Sequence, residues 1–160
     1  MSDIKVRPAT ARDISRILPL WEALAEHHGA LDPALGVERN AAREYASFLR
    51  DTIGDHGACV MLGLDGERAV AYALGRVHVL PLPFREPRRG WIQDVFTVPE
   101  RRREGIGGRV VEALLAWFHE QRITFIELTV AVRNPEAVRF WERYGFTTYL
   151  HRMKRTAGAR

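Results

Sequence analysis

The sequence predicts an α/β (α+β) fold in a single domain, built on a mixed, mostly antiparallel sheet. Three observations predict it. Apolar residues recur at helical spacing in four segments, with β-like apolar runs between them. Two of those runs join through Asp65-Gly66, a strong hairpin signal. Farther on, a strand, a glycine-rich turn, a long amphipathic helix and another strand read as a βαβ crossover. Hairpins make antiparallel neighbours and a crossover makes parallel ones, so the sheet has to be mixed. With 160 residues, one domain over 1–160 is expected, its core about 3–153 and a frayed tail over 154–160. A chain of this size buries roughly 70% of its unfolded surface, enough for a core without staples.

Taken in order, "IKVRPA" is a short first strand. Thr10 with Asp13 three residues on is a capping-box-like start to a helix over 11–28, striped by Ile14, Ile17, Leu18, Trp21 and Leu24. Pro19 is expected to kink it and Gly29 to stop it. A second helix over 37–53 carries Tyr45, Phe48, Leu49 and Ile53. The strands "GACVMLGL" and "RAVAYALGRVHVL" follow, then the Pro-rich basic loop "PLPFREPRRG" and the strand "WIQDVFTV". Ile106, Val110, Val111, Leu114, Leu115 and Phe118 define a helix to about residue 121. "TFIELTVAV" reads as a strand buried on both faces. Asn134 as N-cap and Pro135 at the first position open a last helix, which ends near Gly145. "FTTYLHR" reads as a final strand. The order is β-α-α-β-β-β-α-β-α-β, without repeats or linkers.

Composition narrows the function classes. The chain is 46% hydrophobic and 28% charged, as ordinary globular proteins are. Its one cysteine, Cys59, lies in an apolar run and reads as core filler, so no disulfide forms within the chain. No run reaches the ~20 apolar residues of a membrane span, and the first residues lack a signal-peptide core, so a cytoplasmic location with no membrane partner is expected. Net charge is +4, nearly all from arginine, whose planar fork suits phosphate and carboxylate. Nucleic acid is not expected as a partner: no helix-turn-helix or aromatic ribonucleoprotein pattern is present. No His/Cys/carboxylate spacing suggests a metal.

The stretch "RRREGIGG", 101–108, concentrates charge and backbone freedom just before a helix. A helix N-terminus leaves N–H groups unpaired at the positive end of the dipole, and glycines let a ligand approach. The stretch therefore reads either as a phosphate cradle or as a plain turn. The dinucleotide fingerprint fails because Val110 stands where its third glycine belongs, and the Gly-Lys-Ser/Thr of a nucleoside-triphosphate loop is absent.

"VFTVPERRREGIGGRVVEALLAWF" resembles the acetyl-CoA-binding segment of the GNAT superfamily of N-acetyltransferases, R/Q-x-x-G-x-G/A, on Arg102, Gly105 and Gly107. "IELTVAVRNPEAVRFWERYGF" resembles that family's second segment, on Asn134, Ala137, Phe140, Trp141, Gly145 and Phe146. The resemblance implies helices on both faces of the sheet, and the strands "WIQDVFTV" and "TFIELTVAV" splayed as a parallel pair to admit acetyl-CoA. It implies a pyrophosphate held by the backbone of Arg102, Arg103, Glu104, Gly105, Ile106, Gly107 and Gly108. It implies a pantetheine arm paired by backbone with Phe96, Thr97 and Val98, and further cofactor contacts at Asn134 and Trp141. Asn134 also reads as a plain helix cap.

The implied function is an N-acetyltransferase acting on a primary amine of a small molecule or protein, in a chain that can form a homodimer. The alternative is a non-catalytic acyl-CoA-binding sensor or regulatory domain. An attacking amine must be neutral: at pH 7 this costs about 4.6 kcal/mol for a lysine-like amine and about 1.4 kcal/mol for an α-amino group. The position where many relatives carry a glutamate base is Gln93, which takes no proton. Asp94 beside it reads as a structural hydrogen-bond or ion-pair partner or as a base, but alternates to the opposite face of a regular strand unless a bulge intervenes. Glu22 is another candidate. The usual tyrosine acid is replaced by Trp141, with Tyr144 three residues on as a substitute or as packing. "WEALAEHHGALDP" walls the acceptor site, where Trp21, Glu22 and Asp32 are candidates for a cationic acceptor. His27-His28 reads as a helix-end cap or pocket pair, and Arg85, Arg88 and Arg89 as a solvated loop.

Overall fold

A computed structural model of the chain describes residues 3–38, 40–81 and 83–156. Of the expected frayed tail 154–160, residues 157–160 lie outside the described residues. The contacts divide the chain into two compact units, Met1–Thr129 and Val130–Arg160.

The first unit runs β1 Ile4–Pro8, α1 Ile14–Leu31, α2 Ala41–Gly54, β2 Ala58–Asp65, β3 Arg68–Val79, β4 Arg88–Thr97, α3 Ile106–Glu120 and β5 Ile126–Leu128. Its five strands form a sheet in the order β1-β2-β3-β4-β5. Three neighbours are antiparallel and β4–β5 is parallel, joined through α3 as the crossover pattern requires. The hairpin turn falls at Gly66, at φ 57°.

Helices cover both faces of this sheet. In β3, Tyr72 and Arg76 reach α2 partners, whereas a Cβ at the intervening Gly75 would strike Phe118 of α3. The α3 stripe Ile106, Val110, Val111, Leu114 and Phe118 is buried, as its spacing predicts. Ile17, Leu20, Leu24, Tyr45 and Leu49 fill the other face. Each such side chain contributes about 1.5–3 kcal/mol by leaving water. Cys59, opposite Gly75 on the α3 side, is buried, and burial pushes its thiol up to about 11.

Four expectations need correction. The first helix begins with a short 3-10 turn and continues past Gly29 to Leu31, where Asp32 N–H bonds His28 O. Gly29 is helical instead of a stop; a Cβ there would come within 3.4 Å of Gly36 Cα, in the chain folding back after the helix. The second helix starts at Ala41, not 37, because Pro33–Leu35 forms its own 3-10 turn capped by the Asp32 carboxylate. The strand expected over 124–132 is only Ile126–Leu128 and half-buried, because its ladder to β4 covers only three residues.

The second unit carries α4, Pro135–Arg143. Asn134 Oδ1 accepts from Ala137 N–H at 3.1 Å, the expected cap. The helix closes with Gly145 N–H on Glu142 O and Phe146 N–H on Trp141 O, a Schellman motif at φ 80° for Gly145. The final strand expected over 146–152 is absent among the described residues. Alternation suggested it, but no ladder partner pairs with it, and Tyr149 and Leu150 are exposed.

One buried charge ties β1 to the start of α1. Asp13 is 1% exposed and accepts from both Arg7 terminal nitrogens at 2.8 and 2.9 Å, from Thr10 N–H at 2.9 Å, and from Arg16 at 3.3 Å. The Arg7 hydrogen bond, then the Thr10 bonds, hold its carboxyl well below the usual carboxylate range against the opposing cost of burial. Asp13→Ala should destabilise the fold by about 3 kcal/mol in urea denaturation. Because the folded pKa is depressed, this stability is fully present above the ordinary carboxylate pKa and fades as pH falls through and below it. The variant should therefore lose less stability than the wild type between about pH 5 and pH 2.

Candidate functional site

The glycine-rich turn opens α3 without a cap. Gly105 is the N-cap residue, at φ 78°, and offers no side chain to the first-turn amides. The first intrahelical bond is Arg109 N–H to Gly105 O, so the N–H groups of Ile106, Gly107 and Gly108 have no acceptor in the helix. The first turn holds no acidic residue. Gly107 lies against β4: a Cβ there would stand 2.9 Å from Thr97 Oγ1. Before the helix, Arg101 is engaged by Asp65 and by Glu104, whose carboxylate takes its Nε–H at 2.8 Å. Arg102 bonds Thr97 O at 3.1 Å and lies over the Phe96 ring at 5.6 Å. Arg103 is exposed, at φ 65°.

Beside this turn, β4 has an unpaired edge. Its ladder to β5 covers Gly90, Trp91 and Ile92 and stops, while β4 runs on to Thr97. The direction of its backbone groups follows from β3. Val98 N–H donates to Val70 O at 2.9 Å, so alternation turns Phe96 toward β3 as well, and Thr97 and Val95 toward the open edge. The amides of Phe96 and Val98 thus serve the β3 pairing, and their side chains are buried. Val95 N–H faces the edge together with that of Thr97.

The register between β3 and β4 slips at Gln93. Leu74 faces Asp94 and Gly75 faces Ile92, which leaves Gln93 as the extra residue of a bulge. A regular strand would have turned Asp94 toward α3. With the bulge it shares the α1/α2 face with Phe96, while Gln93 is exposed. There Asp94 Oδ2 accepts from Tyr45 Oη at 2.5 Å and from Tyr72 Oη at 3.3 Å, and Oδ1 accepts no hydrogen bond among the described residues. Burial raises the Asp94 carboxyl above its ordinary pKa; the two tyrosine hydrogen bonds and the charge of His28 pull in the other direction. Burial, then Asp94, raises the tyrosine hydroxyls, so both stay protonated as donors. Burial lowers His28, with His27 adding to the effect and Asp94 opposing it.

Trp21 stacks on Tyr45 with centroids 4.1 Å apart and planes 9° apart. On its far side a cavity of about 370 Å³ lies between α1 and the chain leading into α2, walled by Trp21, Glu22, Glu26, Gly29 and Glu38. Glu22 thus stands on the cavity wall, exposed, and is not in contact with Asp94. Asp32 caps the next turn and does not line the cavity.

The fold has known counterparts. The profile of the Acetyltransferase (GNAT) family matches residues 20–146. The chain belongs to the GNAT acetyltransferase family. Solved structures share the fold at low identity. A Bacillus halodurans protein, BH1408, solved as a tetramutant, is 22% identical, with 95% of this chain and 99% of that one covered at a TM-score of 0.83. A predicted acetyltransferase from Clostridium acetobutylicum, solved with acetyl-CoA, is 18% identical, with 96% of each chain covered at a TM-score of 0.79. The aminoglycoside N-acetyltransferase AAC(6')-Iy, solved with CoA, is 10% identical, with 99% of this chain and 97% of that one covered at 0.79.

Among the residues that the GNAT resemblance pointed to, Asn134, Trp141 and Tyr144 belong to the second unit. Asn134 caps α4. Trp141 is buried, edge-on to Phe140 and Phe146 at 5.0 and 5.3 Å. Tyr144 ends the helix and packs 5.1 Å from Phe140. Tyr45, Tyr72 and Val95 were not singled out from sequence. Tyr45 and Tyr72 read as core residues, and only the bulge brings a carboxylate to them. Among the described residues, no group of three His, Cys, Asp or Glu side chains is placed to hold a metal ion, and no helix is long and apolar enough to cross a membrane.

Because the Tyr45 hydrogen bond favours the charged form of Asp94, Tyr45→Phe should raise the Asp94 pKa further. A carboxyl-carbon NMR titration of both proteins reads the direction, and urea denaturation should show a loss of about 1 kcal/mol.

Proposed function

We propose that this protein transfers an acetyl group from acetyl-CoA to a primary amine of a small molecule or protein. The observation that carries the reading is the uncapped α3 N-terminus opening beside the unpaired edge of β4, one residue from a carboxylate that the bulge presents to the other face. The amides of Ile106, Gly107 and Gly108 suit a pyrophosphate, and Gly107 keeps the approach to Thr97 clear. Arg102 and Arg103 add positive charge at the mouth. The edge groups of Val95 and Thr97 suit an extended pantetheine arm, as a strand would pair there.

The chemistry then falls to neighbouring residues. Val95 N–H points to the edge and hydrogen-bonds the thioester oxygen; a donor aimed at a developing oxyanion is commonly worth ~3–4 kcal/mol. Asp94, adjacent in the chain, uses Oδ1 to take a proton from the amine as the nitrogen attacks the carbonyl carbon. Its raised pKa brings it closer to the amine's and makes it a better base than an ordinary aspartate. Tyr45 and Tyr72 act as positioning residues, holding Oδ2. Collapse of the tetrahedral adduct breaks the carbon–sulfur bond, and the proton held by Asp94 passes through water to the CoA thiolate. Glu22, on the cavity wall, attracts the protonated amine without touching the reacting atoms, and the ammonium gives its first proton to bulk water before the neutral nitrogen attacks.

A thiol-release assay over a panel of primary amines tests the reading. Amine-dependent turnover is expected. Asp94→Asn should lower kcat about 100-fold with acetyl-CoA affinity unchanged by calorimetry. Full turnover in that variant would remove Asp94 as the base. Tight acetyl-CoA binding with no turnover of any amine would favour the sensor reading.

A further inference from the structure

On the α1/α2 face of the sheet the partners of Arg7, Arg76, His78, Arg89, Asp94 and Glu127 can be followed one by one. Arg7 is matched by Asp13 at 2.8 Å. His78 and Arg89 share Glu127, each at 3.3 Å. Asp94 is held by two neutral tyrosines. Arg76 has no carboxylate partner among the described residues. Its Nη2 donates to Thr52 Oγ1 at 3.2 Å and its guanidinium lies 5.2 Å from the centre of the Phe48 ring. Its Nε is buried without an acceptor, and Nη1 is in no hydrogen bond. A half-buried guanidinium with donors left over and no counter-charge is costly to maintain for packing alone.

Arg76 also stands in a particular place. Leu74 lies opposite Asp94, and Arg76 is two residues farther along β3, opposite Trp91. One side-chain repeat, about 7 Å, separates the two positions on the same face. Asp94 and Arg76 have opposite charge, and no ion pair joins them. A molecule with an amine at one end and an anion at the other would satisfy both.

We propose that Arg76 binds the carboxylate of the acceptor, so that the substrates are amino acids or related amines carrying a carboxylate. This deepens the reading above and rests on the amine reaching Asp94. One guanidinium matches the single charge of a carboxylate, and its planar fork fits the planar group. The dianionic charge of a phosphate monoester would call for a second cation, and Arg89 on the same face is already paired with Glu127 at 3.3 Å.

Matched pairs test this: alanine against ethylamine, lysine against cadaverine, phenylalanine against phenethylamine. The wild type should show a KM at least about tenfold lower for the acid of each pair, with the difference in KM and not in kcat. Arg76→Met should bring the ratio of the two KM values near one, and Arg76→Lys should restore part of it. Equal KM values in the wild type, or a ratio unchanged by Arg76→Met, would overturn the assignment. If no amine is turned over, the acetyltransferase reading fails separately, and Arg76 is then tested by binding. With CoA present, calorimetry should show N-acetylalanine binding at least tenfold tighter than N-ethylacetamide to the wild type; equal affinities would overturn the assignment. If Arg76→Met does not fold, the wild-type ratios and Arg76→Lys still decide.

Discussion

Past Ile92, β4 is paired on one side only, and the candidate site follows from that constraint. A strand with partners on both edges spends all its amides on its neighbours. Here the ladder to β5 lasts three residues, so the amides of Val95 and Thr97 face outward, while Thr97 O takes Arg102 Nε–H at 3.1 Å. The glycine-opened end of α3 supplies a second set of unspent amides, and Gly107 brings it against Thr97. Two short runs of backbone thus meet at one place with the capacity of their amide donors unused. That capacity is costly in a buried setting unless a ligand takes it up.

The bulge at Gln93 adds side-chain chemistry to this backbone. By inserting one residue it reverses the faces of everything after it. Asp94 leaves the apolar α3 side, where a carboxylate would have no partner, and meets two tyrosines on the other. The result is a compromise. Burial opposes the charge, the hydroxyls favour it, and neither restores full solvation. A carboxylate in that state is a stronger base than a solvated one, and this links the local packing of α2 on the sheet to the proposed reaction. The same slip puts Arg76 one repeat away on the same face. The opposed charges give the proposed acceptor surface a direction.

Much of this was legible in the sequence because it rests on local rules. The α3 stripe, the cap at Asn134, the stop at Gly145 and the hairpin at Gly66 depend on residues close in the chain, and all appear where spacing put them. So does the glycine turn, whose helix-opening role needs only its own residues. What was not legible depends on pairing. Asp94's face changes with a bulge that exists only relative to β3, so the alternation rule gave the wrong side. Which of residues 95–98 face the edge depends on which β3 carbonyl meets Val98. The lengths expected for β5 and for 146–152 overran because an apolar, alternating run specifies a willingness to pair, not a partner. Gly29 stayed helical because the returning chain at Gly36 packs against it, a contact between residues seven apart that no stop signal encodes.

The central claim is that the first amides of α3 grip the acetyl-CoA pyrophosphate beside the β4 edge. Nitrogen–proton correlation spectra of the labelled protein, recorded as acetyl-CoA is added, test it most directly. The account predicts the largest shifts, in the direction of stronger hydrogen bonding, at the amides of Ile106, Gly107 and Gly108, with Val95 and Thr97 moving in parallel and saturating together. Saturable binding that leaves those five amides in place while others shift would contradict it.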